Sequence, residues 1–287
     1  MALIGRPFIR VGVRVDSMAS PNQPTESAAE LRIDSASFAE ALDVVALDSP
    51  AVPVKILFDD ENMSVWTHDS ARTIQVMMDD LPVKGLTAKD KCSLVVSPDS
   101  MAQLLKAKFD GTIEVKQNAD SRIDIRAANG SSVTITSAAE EECNTIPDHW
   151  RLGMDEGWVT FPMLDNQRAT TRALISVEEL RRGLVDMKVS GAPYVVFRFN
   201  PGEAPSFSQS GHWQSKATTS RTVVEATVEG EGIEVCFTTA LASILSRFPG
   251  SDKVMVQKHT DAPFFVVHSV GKEGDIQVIA TEAVREA

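Results

Sequence analysis

The sequence predicts an α+β protein made of two copies of one unit, each with antiparallel sheet and short helices on one side. Three observations predict it. Apolar alternation comes in runs separated by turns rather than by helices, and strand-like segments outnumber helix-like ones about three to one. The second half of the chain also repeats the first at an offset of about 141 residues. A βαβ repeat would interleave strands with helices and build a parallel sheet, whereas hairpin runs build antiparallel ones.

Residues 1–29 precede the first copy. Their last stretch, ASPNQPTESAA, has the composition of a linker, and Phe8, Val11, Val13 and Val15 around Arg10 and Arg14 fit a tail or an added edge strand. The first copy is expected over 30–136. SASFAEALDVVAL presents Phe38, Leu42 and Val45 at helical spacing, and SPDSMAQLLKAKF does the same with Met101, Leu104 and Leu105 behind Ser97 or Asp99 as N-cap. TIEVKQNADSRIDIRA alternates Ile113, Val115, Ile123 and Ile125 as two strands, and Asn129-Gly130 makes a tight turn into VTITS. Residues 137–160 are acidic, contain Pro147 and lack clear periodicity, which reads as an interdomain connector. The second copy is expected over 161–287. Val177, Leu180, Leu184 and Met187 share one helical arc, Leu241, Ile244 and Leu245 mark a second helix behind Thr238 or Thr239, and Val254, Val256, Phe264 and Val266 mark a strand pair that leads to IQVIA.

Composition narrows the chemistry. The chain has 287 residues, long enough for about two ordinary domains. Lys and Arg number 28 against 40 Asp and Glu, a net charge of −12, which argues against indiscriminate nucleic-acid binding. Three cysteines without a CxxC fit buried thiols in a reducing cytoplasm rather than a disulfide framework. Five histidines show no ligand spacing, so neither a metal nor a cofactor is expected. No run is long and apolar enough to span a membrane, and the arginines in the N-terminal stretch do not fit a signal peptide. No GxxxxGK[ST] exists, and the pairs Asp59-Asp60 and Asp79-Asp80 read as solvated loop charges rather than a catalytic dyad, so no enzyme is expected.

In order and spacing, four stretches resemble the ring-shaped DNA sliding clamps of the proliferating cell nuclear antigen (PCNA) type. They are SVWTHDSARTIQVMM with its Asp69-Ser70 turn, CSLVVSPDSMAQLLKAKFDGTIEV, IEVCFTTALASILSRFPGSDKVMVQKHTDAPFFVVHSV and the C-terminal IQVIATEA. The resemblance implies two repeated clamp domains, with antiparallel sheets outside and short helices lining a central hole. It implies a polymerase processivity factor that encircles double-stranded DNA as a homotrimer, is opened by an ATP-dependent clamp loader, and tethers DNA polymerase and other replication and repair proteins. Edge strands near Val133–Thr136 and Lys216–Val224 would join subunits. Localisation follows the host: cytoplasmic or nucleoid-associated in a prokaryotic or virus-infected cell, nuclear in a eukaryotic one. The alternatives are a checkpoint-like or diverged subunit of a hetero-oligomeric ring and a two-domain α+β enzyme.

Two sets of residues follow from the resemblance. Across helices 35–47, 98–109, 176–190 and 238–249, six bases (Lys106, Lys108, Arg181, Arg182, Lys188, Arg247) meet six acids, so the helices are neutral while the rest of the chain carries the whole −12. These bases would face DNA through sequence-independent, salt-sensitive contacts, with Lys84, Lys89 and Lys91 in a loop at the rim. The first helix departs from the pattern, with Glu40, Asp43 and no base. The docking pocket for partner peptides, which carry a glutamine and a hydrophobic or aromatic cluster, would be walled by His68, Pro263, Val278, Ile279 and Ala280, with connector residues near Ile146, Trp150 or Leu152. Arg72 lies in the matched turn, and Thr281 stands where relatives usually have proline.

Overall fold

The structure is a computed structural model and describes residues 29–47, 51–118, 121–144, 146, 152–188, 194–210, 218–238, 241, 244–245, 252–270 and 275–282. The first copy runs β1 (Glu30–Asp34), α1 (Ser35–Val45), β2 (Val54–Asp59), β3 (Asn62–His68), β4 (Ile74–Pro82), β5 (Thr87–Ala88), β6 (Cys92–Val96), α2 (Pro98–Lys108), β7 (Thr112–Gln117), β8 (Arg122–Ala127) and β9 (Ser132–Thr136). A three-stranded meander follows, β10 (Gly153–Asp155), β11 (Trp158–Phe161) and β12 (Gln167–Arg168). The second copy runs β13 (Thr171–Ser176), α3 (Val177–Lys188), β14 (Tyr194–Phe199), β15 (Ser206–Ser210), β16 (Thr218–Val223), β17 (Ala226–Gly230), β18 (Ile233–Thr238), helical residues at 241 and 244–245, β19 (Lys253–Lys258), β20 (Phe264–Val270) and β21 (Asp275–Thr281).

Sheet order exposes the repeat more sharply than sequence does. In the first copy β5-β1-β7-β8-β9 form one sheet, and β6-β2-β3-β4 pair in that order. The second copy repeats both orders as β17-β13-β19-β20-β21 and β18-β14-β15-β16. Every pairing between these strands is antiparallel. The copies fuse where β21 pairs with β4, Ala280 opposite Ile74 through Asp275 opposite Asp79, making one nine-stranded sheet.

One core serves both copies. Phe38, Leu42 and Val45 of α1, Met101 and Leu105 of α2, Leu180, Leu184 and Met187 of α3, and Leu241, Ile244 and Leu245 all pack with the sheet residues on their side. Period-2 alternation places Ile74, Val76, Met78, Val278 and Ala280 in that cluster. The intervening Met77 and Ile279 point away from the helices, into a second cluster. We call this second side the outer face. Packing of α3 on the sheet is close: a Cβ at Gly183 would lie 2.3 Å from Phe207 Cδ2, so only glycine lets helix and strand approach this far.

The helix starts carry their own chemistry. Ser97 is the N-cap residue of α2 without a side-chain cap bond, and Pro98 follows it, while Asp99 Oδ1 accepts from Ser97 Oγ (2.7 Å) and Ser100 N–H (2.7 Å). Asp34 caps α1, a role the sequence pattern did not flag. Its carboxylate accepts from Ser37 N–H (3.0 Å) and Ser37 Oγ (2.9 Å). The Ser37 backbone bond, opposed by partial burial and helped by the Ser37 hydroxyl and Lys84, holds the Asp34 carboxyl below its ordinary value. A depressed carboxyl contributes stability above its unfolded pKa and loses it as pH falls through the folded value. Asp34→Ala should therefore cost about 1 kcal/mol near neutral pH. Urea melts in acid should show the gap to wild type closing; a gap that widens in acid would contradict the cap.

Candidate functional site

The bases expected to face DNA divide by their surroundings. Lys106 and Lys108 end α2, Arg181 and Arg182 lie on α3, and all four are exposed on the helix side. Lys106 reaches across to Asp43 on α1, so an acid of the baseless first helix answers a base of the second. Arg182 bonds Glu179 one turn back and the Val223 carbonyl (3.1 Å). Lys84 sits at the start of α1, its carbonyl accepting from Asp34 N–H (3.0 Å). Lys89 does not join the helices. It pairs with Glu30 (3.5 Å) and lines a charged groove of about 590 Å³ with Arg32, Glu114, Lys116 and Arg126, on the outer face of the five-stranded sheet. Lys91 pairs with Asp59 (2.5 Å) at the end of β2. The Lys188 side chain and Arg247 lie outside the described residues. Exposed pairs of this kind are worth little in energy, yet each one lowers the charge available to a phosphate.

The outer face of the nine-stranded sheet is different in kind. Met77, Leu152, Val159, Phe161, Ala169, Ala262, Phe264, Val266 and Ile279 form a buried apolar cluster there, with Trp66, Ile146, Trp158 and Leu164 partly buried against it. The cover is the meander β10–β12. The 137–160 stretch expected to be an aperiodic connector thus contains β10 and most of β11, and the strand that opens the second copy begins at Thr171. A tight turn with positive φ at Glu156 and Gly157 (50° and 81°) joins β10 to β11, the signature of a turn that matches strand twist, while the loop 162–166 joins β11 to β12 through a 3-10 turn (Pro162–Leu164) and positive φ at Asp165 and Asn166 (53° and 59°). Gln257 pins the cover from below, accepting from Val159 N–H (3.0 Å) and donating to the Gly157 carbonyl (2.9 Å). The Arg172 guanidinium stacks over the Trp158 ring at 4.3 Å, and Phe161 meets Phe264 at 5.3 Å.

Beside this cover lies a pocket of about 250 Å³, lined by Arg72, Thr73, Gln75, Leu152, Pro263, Phe264, Ile279 and Thr281. The structure thus brings together Pro263, Ile279 and Leu152 from the expected wall, with Arg72 of the matched turn and Thr281 beside them. It corrects three of the assignments. Val278 and Ala280 are fully buried in the helix-side core, because neighbours of Ile279 along a strand must point the other way. His68 does not line the cavity; it is half-buried one strand over, opposite Gln75, with Nδ1–H donating to the Asp69 carbonyl (2.7 Å) and its own carbonyl accepting from Asn144 Nδ2 (2.9 Å). Ile146 packs into the outer cluster, and Trp150 lies outside the described residues. Sequence reasoning missed Thr73, Gln75 and Phe264. The Asp69-Ser70 turn proves to be the pocket's frame: buried Asp69 accepts from Thr73 Oγ1 (2.6 Å) and Ile74 N–H (2.8 Å), and holds Arg72 at a φ of 57° on the rim.

Burial, then Glu140, pushes the Cys143 thiol up to about 11, so it stays protonated near neutral pH. Among the described residues no three His, Cys, Asp or Glu side chains gather to hold a metal ion, and no helix is long and apolar enough to cross a membrane.

No protein-family model and no curated protein sequence matches the chain. Solved structures do. The crystal structure of Proliferating Cellular Nuclear Antigen from Entamoeba histolytica superposes with a TM-score of 0.65 at 12% identity, covering 90% of this chain and 99% of that one. The PCNA2–PCNA3 complex from Sulfolobus tokodaii gives 0.66 at 11% identity, covering 88% of this chain and 98% of that one. With sheet orders repeated in both halves and helices on one side, the chain has the two-domain α+β fold of PCNA sliding clamps.

Proposed function

We propose that this protein is a DNA sliding clamp, a binding scaffold without catalytic activity that encircles duplex DNA and tethers replication proteins. One observation carries the reading. Inside the chain, the last strand of the second copy pairs with β4 of the first. By the repeat, β9 corresponds to β21 and β16 to β4, and among the described strands β9 and β16 are paired on one side only. Each chain therefore offers at one end the strand that its other end lacks. Burial agrees: Val278 and Ala280 on β21 are fully buried, while Val133 and Ile135, their counterparts on β9, are half-buried, and Val223 on β16 is 51% exposed. A head-to-tail contact that repeats the β21–β4 geometry closes into a ring, with the helix side facing inward.

The ring explains the charge. An acidic exterior repels DNA, while neutral helices with their bases partly answered by acids hold it loosely, so retention is topological rather than adhesive. The outer pocket is then the docking point for short peptides of polymerase and other partners, and an ATP-dependent loader opens the ring. Native mass measurement tests this first: a homotrimer gives three times the chain mass of 31.1 kDa. Retention on closed circular DNA and release after linearisation tests the second step. Single chains at every concentration, with no retention on circles, would overturn the proposal. A hetero-oligomeric ring is a second reading, favoured by the likeness to a complex of two different PCNA chains; single chains that form a ring only with an unlike clamp subunit would select it.

A further inference from the structure

Two glutamines stand in one row across the outer face of the nine-stranded sheet. The register steps from Gln257 on β19 to Val266, Ile279 and then Gln75 on β4. Three strand spacings put them about 14 Å apart. Gln257 is fully buried and Gln75 is 8% exposed. Their amides meet different fates. The Gln257 amide is read by backbone lying over it, one N–H from Val159 in strand β11 and one carbonyl from Gly157 in the turn that leads into it, two residues apart. Its second amide hydrogen goes to His268 Nε2 (2.8 Å). Gln75 Oε1 has no hydrogen-bond partner among the described residues, and Gln75 lines the pocket beside the cover.

A buried, unpaired amide oxygen destabilises the fold, and a pocket meant only for apolar groups would be better served by an aliphatic side chain. Methionine fits the same space without that penalty. The volume, about 250 Å³, is smaller than the usual small-molecule site and suits a side chain entering from a longer ligand. The chain's own meander shows how a segment lies on this face: a strand, β11, entered through a turn, with backbone groups to a glutamine amide and an apolar side chain, Phe161, against the sheet.

We propose that Gln75 is a specificity-determining residue, whose amide is bonded by the backbone of an extended partner peptide that seats one apolar side chain between Leu152, Pro263 and Ile279. The inference rests on the docking-pocket reading above and adds its recognition rule: affinity depends on peptide backbone at one position, not on apolar burial alone. Stability and binding then change in opposite directions at Gln75.

The test uses the whole chain and a fluorescein-labelled synthetic peptide carrying a glutamine and a hydrophobic-aromatic cluster. Gln75→Met should melt at a higher temperature than wild type yet bind the peptide about tenfold more weakly. N-methylation of the peptide amides, one at a time, should weaken wild-type binding at one position by a similar factor and leave the Gln75→Met affinity unchanged there. Equal or tighter binding by Gln75→Met overturns the inference while the pocket reading stands. Weaker binding with no methylation site that depends on Gln75 overturns the backbone contact. If wild type itself ignores the peptide while assembling normally, the docking reading fails and the inference falls with it.

Discussion

Thr134→Pro is expected to convert the assembled protein to single chains without unfolding it. Hydrogen bonds decide which residue of β9 to change. Ala127 N–H donates to the Ser131 carbonyl at one end of the β8–β9 hairpin, and Ser137 N–H donates to the Ser121 carbonyl at the other. In an antiparallel ladder bonded pairs alternate, so Val133 opposite Ile125 and Ile135 opposite Ile123 are bonded to β8. The N–H groups of Ser132, Thr134 and Thr136 therefore point to the open edge. Proline at 134 removes one outward donor and sets its ring in the path of an incoming strand, while every backbone bond to β8 survives; the exposed Thr134 Oγ1 bond to Asp124 on β8 (2.6 Å) is lost, as it also is in Thr134→Val. The preceding Val133 is already extended, as a residue before proline must be. One lost bond is worth about 1 kcal/mol net. Obstructed pairing of the flanking residues raises the loss to about 2–4 kcal/mol per interface, which is roughly 30- to 1000-fold in association. Sedimentation at matched concentration should show the single-chain mass, with a thermal midpoint near that of the dissociated wild type. Thr134→Val, which keeps the donor, should assemble normally. An undiminished oligomer in Thr134→Pro would mean that β9 is not the contact edge.

The strands and helices of both copies are legible because each buries one face, and alternation or helical spacing reports a half-buried element directly. The meander is the instructive failure. Its strands are two to four residues long, too short for alternation to rise above chance. Its turn residues, Glu156-Gly157 and Asp165-Asn166, were present in the sequence and unused. A stronger signal lay elsewhere: Phe264 to His268 of β20 are all buried, and a continuous apolar run marks a strand covered on both faces. That run announces a covering element before any connector is inspected. The pocket was half legible for the same reason. A linear match finds the segment 278–280 but cannot say which residues face the cavity, and a one-residue step swaps core for pocket. Gln75, polar within the run Ile74–Met78, carried the opposite hint. Buried in an apolar strand, such a residue is there for a partner. Pairs such as Lys106 with Asp43 need α1 beside α2, and only the fold supplies that.

Gln257→Leu is expected to loosen the meander and weaken docking while leaving assembly intact. Leucine fits the space but leaves the Val159 N–H buried and unpaired, at a cost of about 1–3 kcal/mol, while the carbonyl of exposed Gly157 turns to water. Against this stand the Arg172 cation over Trp158 and the Phe161–Phe264 contact, each worth about 0.5–1.5 kcal/mol beyond area burial. Burial of Val159 and Phe161, about 1.5–3 kcal/mol each, also holds the cover down, so the cover stays seated on average but opens more often and lets water reach Val159 N–H. The helix-side core is separate from the outer cluster and keeps the clamp domains folded. Hydrogen exchange at Val159 should rise to a local-opening rate while amides of β13 and β19 stay protected. Leu152 leads into the meander and lines the pocket, so its looser seating should lower peptide affinity. Neither β9 nor β16 touches the meander in the sheet order, so the native mass should not change. Arg172→Ala removes a tie without stranding a buried backbone group and should loosen the cover far less. Wild-type exchange protection at Val159 in Gln257→Leu would refute the role of Gln257 in pinning the cover, and unchanged peptide binding with a loosened cover would show that the pocket does not need this wall.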